Sequence, residues 1–398
     1  MVATLPITVT LRPEKRGTFF AHHPWVLAKS LVPVRESVPP GSVIDLVLPD
    51  GRWVARGLYN GDSRIPVRLY TWNQEEELDD AFWSRRLELA LGLREQAGLT
   101  DRDGAARWVF SEADGLSGLI VDHYAGHLVV QFTARVMQLR APWLLDWLEA
   151  RCQPLSIQVR IDPHVARAEH MELVSGFMRG VELTQPVEIS EHGVRLQVDL
   201  CGGQKTGYYL DQRENRVRAA SYLRGRSVLD VCCYAGGFAL AAARAGASEV
   251  LAIDASAKAI DVARHHAMLN GFPQIQCETG DCFDTLERLG RESRRFGGVI
   301  LDPPRFAGSR HHTRAALQAY HRLNRLAMQV LEPGGILVTC SCSGVVSRED
   351  FRQMLVGASQ RARRELQLLE QRGAGPDHPV RVSCPETEYL KCIIARVL

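Results

Sequence analysis

Cys340 and Cys342 close the segment Leu337-Val-Thr-Cys-Ser-Cys-Ser343, and Asp302 closes an apolar run in Val299-Ile-Leu-Asp-Pro-Pro-Arg-Phe306. A thiolate can split one difficult substitution into two easier steps. Carbon-5 of cytosine or uracil calls for such help, because it is too poor a nucleophile to take a methyl group unaided. A thiolate added to carbon-6 makes carbon-5 enamine-like, and loss of the carbon-5 proton then expels the sulfur. Methylation of an exocyclic amine needs no cysteine. A cysteine at a strand end facing the Asp302 loop is therefore the discriminating feature. The competing reading is two small residues packed in a tight turn.

The Asp302 loop supports the same chemistry. Pro303 and Pro304 fix the backbone behind the carboxylate and keep it aimed into a cleft. That carboxylate can pair with the amino and ring-nitrogen edge of a base, with Arg305 beside it and Phe306 offering a stacking face. A cap on the next helix is the alternative role for Asp302. Beyond Phe306 come Arg310, His311, His312, Arg314, His321, Arg322 and Arg325. Helical spacing puts several on one face, suited either to phosphates or to plain solvation.

A second set of residues suits a nucleoside cofactor. Val228-Leu-Asp-Val-Cys-Cys-Tyr-Ala-Gly-Gly-Phe238 reads as a strand, a turn and a helix start, with Asp230, Tyr234, Ala235, Gly236 and Gly237 at the turn. The two glycines let backbone approach a ligand. Methyltransferase turns carry three glycines at alternating positions, and here Cys232 and Tyr234 take the first two. Gly-x-Gly-x-x-Gly is absent, which argues against a nicotinamide cofactor. Asp254 ends the next strand, where a carboxylate accepts from both ribose hydroxyls or caps the helix starting near Ser256. Asp281, Cys282 and Phe283 follow a third strand, suited to an adenine edge and face or to ordinary loop chemistry. Gln204, Lys205 and Thr206, with Asp211, can fold over the methionine end of the cofactor, or can simply connect domains while Tyr208 and Tyr209 pack. These segments, in this order, describe an S-adenosylmethionine pocket facing a nucleobase pocket.

These positions must be held by a sheet. From about residue 202 apolar strands alternate with helical stretches: strands at 227–232, 249–253, 274–278, 298–302 and 335–340, helices at 237–245, 256–270, 313–331 and 347–357. Such alternation predicts a parallel sheet with helices on both faces, and in such sheets ligands sit beyond the carboxyl ends of the strands. Segments 366–371 and 389–397 read as closing strands. Residues 7 to about 72 read as short strands broken by turns, with Pro49-Asp-Gly-Arg52 as a hairpin turn. Between them lies an α+β stretch.

Composition sets the frame. A chain of 398 residues exceeds one ordinary core, so two or three domains are expected. The formal charge of +2 gives no whole-molecule attraction to nucleic acid. Lysine occurs only at 15, 29, 205, 258 and 391, a skew to arginine that matches codon usage in a GC-rich genome. The ten cysteines match no zinc pattern, and no metal is expected. No long apolar span and no signal-peptide start occur, so a cytoplasmic protein without membrane contact is expected.

On these motifs the chain resembles the RlmI-type family of bacterial 23S ribosomal RNA cytosine-5 methyltransferases, over essentially its whole length. His23-Pro-Trp-Val26, Gly41-Ser-Val43 and Arg56-Gly-Leu-Tyr-Asn-Gly-Asp-Ser63 resemble the family's RNA-binding PUA barrel. Glu112-Ala-Asp-Gly-Leu-Ser-Gly-Leu-Ile-Val-Asp122 resembles the signature of its central α+β domain. Gln204 to Asp211, the Asp302 loop and Ser341-Cys-Ser343 resemble its catalytic motifs. The resemblance implies a PUA domain at 1–74, a central α+β domain at 75–201 and an α/β, Rossmann-like class I methyltransferase domain at 202–398. It implies S-adenosylmethionine as cofactor, held at Lys205, Thr206, Asp211, Asp254, Asp281 and the Gly236 turn, and 23S ribosomal RNA as partner. It also implies Asp302 on the base and Cys342 as nucleophile. Thr339-Cys-Ser341 resembles the motif of another cytosine-5 RNA methyltransferase group, so Cys340 stays a candidate. Glu386 and Glu388 are candidate general bases, and an exposed barrel edge is compatible with a homodimer. The competing functions are methylation of a guanine and RNA binding without turnover.

Overall fold

Strands buried on both faces carry near-continuous apolar runs, and the second half of the chain builds such a sheet. The computed structural model describes residues 7–12, 16–34, 37–172, 175–201, 207–306 and 312–398. Its described residues divide into two compact units, one within Met1–Ile189, Val198–Leu210 and Pro376–Thr387, the other within Ser190–Gln197, Asp211–Gly375 and Glu388–Leu398.

The second unit holds a seven-stranded sheet. Across it lie Ile275–Thr279, Glu249–Asp254, Ser227–Val231, Phe296–Leu301, Leu331–Ser341, Lys391–Val397 and Leu366–Arg372. The first five are parallel, and Lys391–Val397 runs antiparallel to both its neighbours. The chain order reverses between Ser227–Val231 and Phe296–Leu301, and that switch point is where an open α/β sheet binds ligands.

Alternate residues of each strand feed two cores. Leu229, Val231, Leu251, Ile253, Val299, Leu301 and Leu337 point into one, with Tyr320, Leu323 and Phe351 from the covering helices. Val228, Val250, Ala252, Ile300, Val338 and Cys340 point into the other, with Phe238, Ala239, Ile260 and Ala263. Within this unit two described helices escape the sequence pattern, Arg213–Ala220 and Cys282–Arg291. The first buries Arg213, Asn215 and Arg216, so it carries no apolar stripe to read. The second buries only Thr285, Leu286 and Leu289 and starts on an Asp281 cap.

The first unit holds two five-stranded sheets. The one nearer the N-terminus runs Ile7–Thr10, Val43–Val47, Trp53–Tyr59, Val67–Thr71, Trp25–Val26 around a core of Leu11, Ile44, Leu46, Ala55 and Leu69. The expected hairpin turn is present, with Gly51 at φ +82° and Leu48 N–H bonded to Arg52 O at 2.9 Å. The other sheet packs on Asp80–Gln96 and Ala141–Cys152 through Trp83, Leu87, Val121, Val130 and Leu148. The acidic motif around Glu112 is explained by buried ion pairs. Glu112 takes Trp25 Nε1, Ser117 Oγ and Arg68, Asp114 takes Arg94, and Asp122 takes Arg107. Such carboxylates enter a core only when paired.

Candidate active site

Residues Cys232, Tyr234 and Gly236 all have left-handed backbone, at φ +62°, +49° and +80°. The turn thus keeps the geometry that three alternating glycines would adopt, although side chains occupy the first two positions. Each non-glycine residue costs about 1–2 kcal/mol in this region, so the surroundings must enforce it. Tyr234 N–H bonds Asp254 Oδ2 at 2.9 Å, and Gly236 N–H bonds Cys233 O at 2.8 Å. His266 Nδ1 donates to Ala235 O at 2.9 Å while its Nε2 accepts from Gln197 N–H at 2.9 Å. Burial lowers the pKa of His266, so the ring stays neutral in that tautomer. Nothing in the sequence marks His266, a histidine in the last turn of Ala257–Leu269, as the pin of this turn.

Asp230 lies under the turn, fully buried. Its Oδ2 accepts from Ala239 N–H at 2.9 Å, while Oδ1 has no hydrogen-bond partner among the described residues. Burial first, and then the charges of Asp302 and Asp254, push its carboxyl up to about 8. Holding a proton at neutral pH, the carboxyl can carry it on Oδ1 and keep Oδ2 as the acceptor that anchors the start of the helix.

Asp254 is not the helix cap that the sequence also allowed; Ser256 caps Ala257–Leu269. Asp254 accepts from Tyr234 N–H at one oxygen and from Ser256 N–H at the other, both at 2.9 Å. Each carboxylate oxygen has a second acceptor site, so ribose hydroxyls remain within its capacity. Asp281 is the cap of its own helix, with Oδ1 accepting from Phe283 N–H and Asp284 N–H. Cys282 hydrogen-bonds Cys232, which draws the Cys282 thiol below its ordinary pKa. Arg322 lies 4.6 Å over the Phe283 ring and pairs with Glu287, so this arginine is committed within the unit.

Asp302 extends the neighbouring strand, its N–H reaching Val231 O at 3.3 Å. Gln212 Nε2 donates to Asp302 Oδ1 at 3.1 Å, and Gln212 Oε1 accepts from Asn215 Nδ2 at 2.7 Å. Arg372 Nε in turn donates to Asn215 Oδ1 at 3.0 Å. Pro303 is buried, Pro304 and Arg305 are exposed, and Phe306 is half-buried against Tyr320, ring centroids 4.8 Å apart. Asp211 accepts from the Tyr389 hydroxyl. Gln212, Asn215 and Arg372 were not expected from sequence, since polar residues far apart in the chain carry no local signal.

The two cysteines separate. Cys340 is fully buried and lies opposite Cys392 in the antiparallel register. Its hydrogen bond with Cys392, together with burial, drives the Cys340 thiol well above its ordinary pKa. That is the environment of an inert packing thiol. Cys342 lies just beyond the strand end at Ser341 and is only half-buried. Leu301 lies opposite Thr339 in the parallel register, so Asp302 and Cys342 both follow strand ends on the same edge of the sheet. Lys391, another residue that sequence reading passed over, donates from Nζ to Ser343 O and to Tyr389 O.

The remaining expected residues divide. Gln204, Lys205, Thr206, Arg310 and His311 lie outside the described residues. Tyr208 is buried, its N–H 3.3 Å from Tyr124 Oη, as the packing alternative anticipated. Glu386 pairs with His23 at 3.2 Å, and that bond above all pulls its carboxyl down to about 2, a poor setting for a general base. His23 Nδ1 accepts from Trp25 N–H, so Nε2 carries the proton toward Glu386. Glu388 is held by Arg348 at 2.6 Å.

Comparison with known proteins agrees with this geometry. Residues 145–385, more than half of the chain, match the S-adenosylmethionine-dependent methyltransferase family, and residues 9–72 match the PUA-like domain. Ribosomal RNA large subunit methyltransferase I of Shewanella denitrificans is 36% identical over 99% of this chain and 100% of its own. That of Aeromonas hydrophila is 38% identical over 98% and 99%. The chain belongs to the ribosomal RNA large subunit methyltransferase I family. A solved Streptococcus mutans structure assigned as a SAM-dependent methyltransferase shares the fold, with TM-score 0.83 and 18% identity, covering 98% of this chain and 100% of that one. The expected fold is therefore present: a PUA-like N-terminal part and a Rossmann-like methyltransferase sheet, with S-adenosylmethionine as the family's cofactor. Among the described residues no helix is long and apolar enough to cross a membrane.

Proposed function

We propose that this protein methylates carbon-5 of a cytosine in 23S ribosomal RNA through a covalent bond between Cys342 and the base. The observation that carries this reading is the half-buried Cys342 beyond one strand end, on the same sheet edge as Asp302 at the end of the adjacent strand. A guanine or an exocyclic amine would need no thiol there.

The cofactor S-adenosylmethionine supplies the methyl group when bound. Asp230 beneath the turn, Asp254 with spare acceptor sites and the Gly236 turn are among the described residues that suit holding it. Gln204, Lys205, Thr206, Asp211, Asp281, Cys282 and Phe283 complete the proposed cofactor set. The target base leaves its stack, and Asp302 pairs with its polar edge, oriented by Gln212. The Cys342 thiolate adds to carbon-6, forming a carbon–sulfur bond while the ring's double-bond electrons move to carbon-5. Once carbon-5 carries the methyl group, its proton goes to a base. The electron pair left behind restores the ring double bond, and the sulfur leaves as thiolate.

We assign residues 1–74 and 75–201 to RNA grip and 202–398 to catalysis, in the cytoplasm. A homodimer through the barrel edge at Ile7–Thr10 is part of the same proposal, checked by sedimentation. The deciding experiment incubates the protein with methyl-labelled S-adenosylmethionine and unmodified 23S RNA and identifies the labelled nucleoside after digestion. Label in 5-methylcytidine is expected; label in a methylguanosine would sink the covalent mechanism.

A further inference from the structure

Lys391 is 2% exposed, an unusual place for an ammonium. It begins the strand Lys391–Val397, where it lies opposite Ser341 in the register, with Cys392 opposite Cys340. Its Nζ reaches past the end of the neighbouring strand to Ser343 O and donates also to Tyr389 O, 2.8 Å away. The amine is thus tied to the carbonyl one residue past Cys342, under the Ser341-Cys342-Ser343 turn. Both acceptors are neutral carbonyls. A buried charge held by dipoles alone is costly, and an anionic partner is what would offset it.

Charged and titratable groups near enough to bear on Lys391 include Cys342, Arg348, Glu388 and Arg305. Two are cations and can only oppose it. Glu388 already pairs with Arg348. The bond to Ser343 O and the register opposite Ser341 set the ammonium against the backbone on both sides of Cys342, the thiol that could serve as its anion. Burial lowers the amine to about 8, so at neutral pH it still carries its proton.

We propose that Lys391 is the buried cation that holds Cys342 as a thiolate, by sitting beneath the turn that carries it. This rests on the assignment of Cys342 as nucleophile and supplies what that assignment lacks, a reason for the thiol to ionise near neutral pH. Lys391 keeps its protons throughout; the Cys342 proton goes to solvent. Two of the three ammonium donors are spent on carbonyls, which fixes the nitrogen in place. Lys391 is thus a positioning residue acting through Cys342.

The test is the pH dependence of alkylation of Cys342 by iodoacetamide, read by peptide mass mapping because the chain has ten cysteines. In the native protein the alkylation rate should rise with an inflection below the ordinary thiol value of about 8.5. Lys391→Met should slow alkylation at pH 7 about tenfold or more, and Lys391→Arg should restore most of the rate. Binding of S-adenosylhomocysteine reports that each variant is folded. A Lys391→Met protein that binds it and alkylates Cys342 with the native profile overturns the proposal. Should that variant not fold, the native profile decides alone: an inflection at or above about 8.5 overturns the proposal. Cys342→Ala that still transfers methyl groups would instead overturn the nucleophile assignment, and with it the catalytic purpose of the pair, whatever the alkylation profile shows.

Discussion

Gln212 donates its amide N–H to Asp302, and the direction of that bond is set two residues away in the same network. The Arg372 guanidinium has only donors, so Asn215 must meet it with its oxygen. Asn215 then presents its amino group to Gln212 Oε1 and to Gly373 O, and Gln212 in turn presents its amino group to Asp302. Asp302 is therefore held as an acceptor. Gln212→Leu removes a hydrogen bond to a charged group, worth about 1.5–3 kcal/mol. The expected result is a loss of roughly 10- to 100-fold in kcat/KM, with cofactor binding by calorimetry unchanged.

Cys342→Ala should abolish methyl transfer while leaving the fold intact. Cys340→Ala should keep activity within a few-fold and lower stability by about 1 kcal/mol, as for an ordinary core truncation. Paired methyl-transfer assays and urea denaturation of the two variants separate these outcomes. Equal loss of activity in both would contradict the assignment.

A Cβ at Gly236 would lie 3.2 Å from the Ala263 Cβ, on backbone at φ +80°. Gly236→Ala should therefore destabilise the protein by about 1–3 kcal/mol and weaken S-adenosylhomocysteine binding at least several-fold. Calorimetric titration beside a urea melt checks both parts.

Asp230 makes stability depend on pH. Its folded pKa of about 8 lies above the ordinary value of 3.8, so the folded state holds a proton that the unfolded chain has lost between these values. Its contribution is full below about 4, declines as pH rises toward 8 and is flat beyond. Asp230→Asn should flatten that decline in the cofactor-free protein. Thermal melts of both proteins from pH 5 to pH 9 supply the difference. A parallel pair of curves would show that Asp230 ionises normally.

Arg94 is fully buried and pairs with Asp114 at 2.8 Å on two nitrogens while also donating to Arg107 O and Asp377 O. Arg94→Met leaves Asp114 buried without its counter-charge. The loss expected is about 3–5 kcal/mol, seen as a lower urea midpoint.

The strands and the strand-end motifs were legible in the sequence because their signals are local. Apolar runs, a proline pair behind an aspartate and glycines in a turn act over a few residues, and seven strands lie close to where those runs stand. The Cys232-Cys233 turn was legible only as a departure; that it keeps three left-handed residues depends on Asp254 and His266 from elsewhere in the unit. Cys340 and Cys342 could not be told apart by pattern, since residues two apart share a strand face. The end of the strand gives them different surroundings: Cys340 is inside it against Cys392, and Cys342 is past its end. Gln212, Asn215, Arg372 and Lys391 reach the site from distant segments, and a side-chain hydrogen bond or a buried charge leaves no trace in the periodicity of either partner. Local runs and turns carry the candidate residues for the chemistry, whereas the side chains around them depend on which chain segments the sheet brings side by side.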